Sequence, residues 1–304
     1  MNCIIETRHL GKHFGRVAAV DDLNLNVAEG EIYAFLGLNG AGKTTSIRML
    51  LGMIKPTTGS ARILQTEIKM GSRHPWAGVG YLVEIPYAYP ELTVQENLEI
   101  SRRLHPGTAP AAVTRIIEQL GLSEYAQRRA GTLSQGNAQR LGLAKAMLHH
   151  PRLLLLDEPA NGLDPAGIVE IRELLLDLSH NHGVTIFMSS HILAEVSLLA
   201  DRIGIIHQGH LIQELDKTTL EMNRRKKLVV KTRSAENILS VLNACGLHAA
   251  PNPDGFYESV SRYGIEHPDE IAQKLVQADL PPVHLTVEEE NLENYFLRLI
   301  GLED

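Results

Sequence analysis

Gly37-Leu38-Asn39-Gly40-Ala41-Gly42-Lys43-Thr44 fits the pattern G-x-x-x-x-G-K-[ST] at every fixed position and directly follows the apolar run 31–36. A strand feeding a glycine-rich loop and then a helix is a phosphate cradle. The glycines let successive backbone N–H groups turn inward on a triphosphate, and the helix adds its positive N-terminal end. Lys43 would reach the β- and γ-phosphates and Thr44 would place its hydroxyl on Mg²⁺, so the pattern implies Mg–ATP or Mg–GTP rather than a dinucleotide. The competing reading is a glycine-rich turn with an accidental lysine.

Three further segments add chemistry. In Leu133-Ser134-Gln135-Gly136-Asn137-Ala138-Gln139-Arg140, a serine and a glycine stand at the mouth of a helix that continues to Met147. Ser134 can cap orphan N–H groups and Gly136 lets a phosphate approach, which makes a second phosphate-reading helix end. One chain needs only one, so this end would serve a nucleotide held by a facing chain; the plainer reading is an N-capped helix. Next, four consecutive leucines, 153–156, read as a buried parallel strand whose carboxyl end carries Asp157 and Glu158 to the ligand edge of an α/β sheet. Asp157 is placed to hold Mg²⁺, and Glu158 to take the proton of a water attacking the γ-phosphate. Asn161-Gly162-Leu163-Asp164-Pro165 is a turn by composition, with Gly162 where a guanine-reading N-K-x-D motif needs lysine. Finally, the strand-like run 184–188 ends in Ser189-Ser190-His191, which puts a histidine on the same edge.

Over roughly residues 3–215 the chain resembles the nucleotide-binding ATPase subunit of an ABC transporter, with the motifs in the family's order and spacing. The resemblance implies an α/β fold, a P-loop NTPase core with a helical subdomain. It makes Gly37 to Thr45 the Walker A loop, so that Gly37, Asn39, Gly40, Ala41, Gly42, Lys43, Thr44 and Thr45 bind ATP. Leu133 to Gln139 become the signature, Leu153 to Glu158 the Walker B strand, Asp164 part of the D-loop and His191 the switch histidine. Lys43, Glu158 and His191 are then catalytic. Phe14 falls where the family stacks an aromatic ring on adenine, a core phenylalanine being the alternative.

Two positions depart from the family's pattern. Gln135 stands where glycine is common and Asn137 where glutamine is, which leaves Ser134 and Gly136 as the phosphate-binding groups. Glu84 occupies the place of the glutamine that touches Mg²⁺ and the attacking water. Thr44, Asp157 and Glu84 are thereby the implied metal ligands. Two carboxylates about 4 Å apart repel by about 4 kcal/mol at an effective dielectric of 20, which Mg²⁺ or a retained proton must offset. Glutamate here resembles the exporter ATPases acting on bacitracin and lantibiotics; the alternative is a residue that only ends a strand.

The elements that must position these groups follow from pattern. Strands are expected at 4–7 and 25–27 and near residues 79, 153, 184 and 203. Helices are expected over 94–104 and 109–120 and through the signature, as an arm over about 87–147. Pro86 and Pro90 bracket Tyr87-Ala88-Tyr89, which either packs in the hinge or lines the cleft that, in the family, accepts a helix of the membrane subunit. Residues 1–215 form the expected ATPase domain and 216–304 a small α+β appendage, with strands at 227–232, 255–260 and 283–287 and helices at 235–247, 268–280 and 292–300. His180-Asn181-His182 reads as a helix-end turn rather than a metal site, and Arg224 to Lys227 as a solvated joint between domains.

With 304 residues and 44% hydrophobic content the chain can bury a large core. No run approaches the roughly 18 apolar residues of a membrane span, and the first residues lack the apolar core of a signal peptide. Two cysteines allow neither a disulfide framework nor a zinc cluster, and a net charge of −7 argues against nucleic acid. The expectation is a cytoplasmic ATPase, peripheral on the membrane, paired with a second copy as a homodimer and powering transport, in the export direction, through a separate permease. The alternatives are a soluble ABC ATPase acting on ribosomes or DNA, or a non-transport regulatory ATPase.

Overall fold

The computed structural model describes residues 3–71, 75–84, 86–234 and 236–301. The chain divides into two compact units, one running to Thr218 and the other starting at Thr219.

The first unit contains β1 (Cys3–Phe14), β2 (Val17–Leu23), β3 (Asn26–Ala28), β4 (Ile32–Leu36), α1 (Lys43–Leu50), β5 (Thr58–Ile63), β6 (Thr66–Glu67) and β7 (Val79–Leu82). It continues with α2 (Val94–Leu104), α3 (Ala111–Gln119), α4 (Gln135–Met147), β8 (Leu153–Asp157), α5 (Pro165–His180), β9 (Thr185–Ser190), α6 (Leu193–Leu199), β10 (Arg202–His207) and β11 (His210–Asp216). One sheet has the order β11-β10-β4-β9-β8-β7, parallel throughout except for the β10–β11 hairpin. Every residue of β4, β8 and β9 is buried, as an unbroken apolar run covered on both faces requires. The register pairs Leu36 with Ser190 and Asp157 with Ser189, so the carboxyl ends of three central strands reach the same edge.

A second, antiparallel sheet gathers β2, β3 and β5 around β1. Ile5, Leu10 and Val20 from it share one core with Phe35, Leu155 and Phe187 of the parallel sheet and with Ile47, Met49 and Leu50 of α1. Tyr33 and Phe187 stack at 5.4 Å within that core. The helix that begins with Lys43 and Thr44 is therefore anchored by the packing of both sheets. β1 runs past the expected 4–7 as far as Phe14 because its register shifts near Gly11 and His9 takes a positive φ of 48°. Such irregularities break the two-residue alternation by which a strand is read.

The arm begins with a capping box at α2, where Thr93 accepts from Glu96 N and Glu96 accepts from Thr93 N. α4 then packs on β7. At the foot of the arm, His105, the residue that ends α2, stacks on His149 with ring centroids 3.9 Å apart. The helix α5 ends at His180, with Asn181 as its C-cap. No helix among the described residues is long and apolar enough to cross a membrane.

After α7 (Lys217–Asn223), the second unit has β12 (Lys226–Thr232), α8 (Ile238–Ala244), β13 (Ala250–Pro251), β14 (Tyr257–Ser259), α9 (Arg262–Glu266), α10 (Pro268–Gln277), β15 (Pro282–Glu289) and α11 (Leu292–Leu299). Its sheet, β13-β14-β12-β15, is antiparallel, and Leu228, Val230, Ile238, Leu242, Ile271 and Leu275 form its core. The helix expected from 235 starts at Ile238; Ala235 lies outside the described residues. The basic run is solvated, but it lies inside the second unit rather than at a joint between the two. Arg224 and Lys226 pair with Glu289, and Lys227 pairs with Glu258 and Glu288, while Arg225 and Lys226 stay exposed.

The stacked histidines make acid stability testable. Burial first, then the neighbouring His105 and His150, lower the His149 pKa from 6.5 to about 4. The unfolded chain therefore binds a proton at His149 that the folded chain refuses, and stability falls as the pH drops from about 6.5 toward 4. His149→Phe keeps a ring on His105 and removes this dependence. The urea midpoint of the variant is expected to fall less between pH 7 and pH 5 than that of the parent; equal falls would refute the assignment.

Candidate functional site

The loop between β4 and α1 is shaped by glycine where the backbone demands it. Gly42, the N-cap of α1, has φ 111°, and a Cβ there would lie 2.5 Å from the Ala19 carbonyl oxygen. The next residue, Lys43, is buried at 5% relative exposure. Its Nζ donates to the carbonyls of Gly37 (2.7 Å) and Leu38 (3.3 Å) and lies 3.4 Å from Glu158 Oε1. Thr44 Oγ1 donates to Asp157 Oδ2 at 2.8 Å, linking α1 to the end of β8.

Asp157 is buried, and the Ser189 hydroxyl donates to its other oxygen. That hydroxyl also accepts from Glu158 N at 3.0 Å. Glu158 has φ 50°, a left-handed turn straight after the strand, which swings its side chain away from the direction of β8. Its Oε2 lies 2.9 Å from His191 Nδ1 while Oε1 faces Lys43. Lys43, Thr44, Asp157, Glu158, Ser189 and His191 are thus one connected polar cluster built from the ends of two strands and the start of one helix.

The other expected residues sit around it. Ser134 caps α4 by accepting from Asn137 N at 3.3 Å, and no hydrogen bond or ion pair among the described residues joins Ser134 to the cluster. Gly136 faces the 162–163 turn of its own chain. Asp164 caps α5, accepting from Gly167 N at 3.0 Å, with Pro165 at the first helical position. Asn39 and Gly40 lie on the exposed rim of the loop, Ala41 is buried, and Thr45 is half-buried in the first turn of α1. Phe14 is 52% exposed at the end of β1, with Lys12 Nζ 5.0 Å above its ring, so the core alternative is excluded.

Glu84 also has a positive φ, 60°, and its carboxylate pairs with the Arg48 guanidinium on α1. The cation that answers its charge in this structure is therefore an arginine. Beyond it, Tyr87 and Tyr89 are exposed and meet edge to face at 5.6 Å. They line a cleft of about 320 Å³ with Tyr81, Pro86, Leu104 and Lys145, so these rings face solvent rather than pack as buried hinge residues.

Sequence reasoning missed Ser189, Arg48 and Gln139. Ser189 had a weak signal in its place at the end of an apolar run on the ligand edge. Arg48 had none, because it meets Glu84 only once α1 and β7 are folded together. Gln139 lay within the signature, but its partners are carbonyl groups, which no side-chain pattern discloses.

Residues 20–161 match the family described as ABC transporter. The chain is 39% identical over 303 residues to the bacitracin transport ATP-binding protein BcrA of Bacillus licheniformis, covering 99% of this chain and 98% of that one. It is 36% identical to the lantibiotic transport ATP-binding protein SrtF of Streptococcus pyogenes, over 69% of this chain and 90% of that one. Among solved structures, a dimeric ATP-binding cassette in a post-hydrolysis state with ADP and Pi superposes with a TM-score of 0.65 at 23% identity, over 70% of this chain and 98% of that one. This last likeness is one of fold.

Ser189→Ala tests the cluster's internal support. It leaves Asp157 and the Glu158 N–H each short of one hydrogen bond, and the expected cost is about 1–3 kcal/mol in urea unfolding at pH 7. A change below about 0.5 kcal/mol would mean that Ser189 carries none of the burial of Asp157.

Proposed function

The chain belongs to the family of ABC transporter ATP-binding proteins, and from that premise we propose that it is the ATP-hydrolysing subunit of an exporter, acting as a pair of identical chains on a separate membrane permease. The observation that carries the catalytic reading is the placement of Glu158 between Lys43 and His191, one residue beyond Asp157.

The contacts of Lys43 in the cluster are ones that a nucleotide can replace. The Lys43 ammonium, held by two loop carbonyls and Glu158, turns to the β- and γ-phosphates of ATP, whose other oxygens meet the N–H groups of residues 37 to 45 and the N-terminal end of α1. Glu158 Oε1 is thereby released to accept the proton of the attacking water. His191, held on Oε2, orients that carboxylate and faces the γ-phosphate. Thr44 and Asp157, already within 2.8 Å of each other, are an oxygen donor set suited to Mg²⁺, which would supply positive charge to the phosphate oxygens. Glu84 joins them if Arg48 yields its carboxylate. The exposed ring of Phe14 is available to stack on adenine.

Ser134, Gly136 and Asp164 serve the nucleotide of the facing chain. The tyrosine-lined cleft between arm and core receives the permease. The relatives that match the chain nearly end to end support transport over action on ribosomes or DNA, and their names make bacitracin or a similar compound the proposed cargo. The work is then done at the inner face of the membrane.

Glu158→Gln is expected to leave ATP binding nearly intact, lower turnover by about 10²-fold or more, and trap an ATP-dependent dimer visible by size analysis. Lys43→Ala is expected to weaken ATP binding in a direct titration. Wild-type turnover in the first variant would remove Glu158 from the role of base.

The Glu84 reading has its own test. Glu84→Gln is expected to shift the Mg²⁺ concentration for half-maximal ATPase, and Glu84→Ala to blunt stimulation by the permease while ATP affinity changes little. Flat responses in both would leave Glu84 as the surface partner of Arg48.

A further inference from the structure

Gln139 is 4% exposed, and its Nε2 donates to the backbone carbonyls of Pro159 (3.0 Å) and Glu158 (3.4 Å). A polar side chain buried this deeply is stable only because it is bonded. It rises from α4, whose first turn also grips the far end of the same segment. There the amide of Gln135 lies over Gly162, where an added Cβ would come within 2.3 Å of Nε2, and Gly136 faces Leu163. The left-handed backbone of Glu158 is a conformation that a residue with a side chain keeps only when its surroundings enforce it. Ser189 enforces it on the N–H side and Gln139 on the carbonyl side.

We infer that Gln139 is a positioning residue that links Ser134 and Gly136, which meet the nucleotide of the facing chain, to the catalytic Glu158 of its own chain, so that closure on one nucleotide sets the base at the other. The inference rests on the two-chain reading above. α4 moves as a rigid rod, and any shift of its first turn toward a phosphate is passed to the carbonyls of residues 158 and 159 through the Gln139 amide. The reaction is steep in the position of the base, so a displacement well under 1 Å suffices to change the rate.

The test uses the full-length chain. Gln139→Met keeps the length of the side chain and removes the donor. Turnover is expected to fall about tenfold with KM for ATP within about twofold of the parent, and the Hill coefficient for ATP to fall from above 1 to about 1. Adding Ser134→Ala is expected to cost less in the Gln139→Met background than in the parent, because the link is already cut. Should Gln139→Met not fold, Gln139→Asn, which keeps the donor but shortens its reach, carries the same measurements. A parental Hill coefficient of 1, a rise in KM with turnover intact, or losses that multiply would each overturn the inference. Failure of the two-chain reading shows elsewhere, as a Glu158→Gln chain that forms no dimer with ATP.

Discussion

A buried ammonium must be answered, and at Lys43 the answer organises the whole site. With 5% of its surface exposed, its charge would be prohibitively costly without the two loop carbonyls and the Glu158 carboxylate that surround it. Those partners come from two places: adjacent carbonyls of the loop after β4, and the residue just beyond β8. They converge only because β4, β9 and β8 lie side by side in parallel register. The Glu158 carboxylate is thus part of the solvation shell of Lys43, and on the proposed reading a triphosphate that takes over the lysine also frees the carboxylate. Binding and activation of the base would then be one exchange of partners.

The same economy explains why the sequence departs from its family where it does. A glutamine at position 135 replaces a residue without a side chain, which by itself would crowd the mouth of α4. In the structure its amide occupies the space above Gly162, where the absence of a side chain leaves room for it. The glutamate at position 84 brings a further negative charge toward a site that already has two. Arg48, one turn along α1 from Thr44, meets it, and the pair is exposed enough that either partner can turn to another ligand.

Much of this was legible in the amino-acid sequence, and what was not has physical reasons. The unbroken apolar runs of β4, β8 and β9 announce strands buried on both faces, and the phosphate loop announces itself by glycine spacing. β1 beyond Thr7 was hidden by its bulges, and the strands β2, β5 and β11, which alternate weakly, carried too little pattern to be read. The positive φ of Glu158 cannot be inferred from its type, because glutamate has no intrinsic preference for that region. The basic run 224–227 looked like a joint between domains because its acidic partners lie up to 65 residues away in sequence, within strands whose pairing was not read.

Residues that bond only to backbone carbonyls are the hardest to foresee, and here they matter most for timing. On the proposed reading Lys43, Asp157 and Glu158 define which reaction is possible, and their types alone suggest it. Whether Glu158 stands in the productive orientation depends on Ser189 at its amide and Gln139 at its carbonyl, one fixed to the sheet and the other to the arm. A base held between a rigid strand and a helix that meets a neighbouring chain has a position that depends on that neighbour. On the proposed two-chain reading, chemistry in such a site waits on assembly, because the last constraint on its geometry comes from outside the chain that performs it.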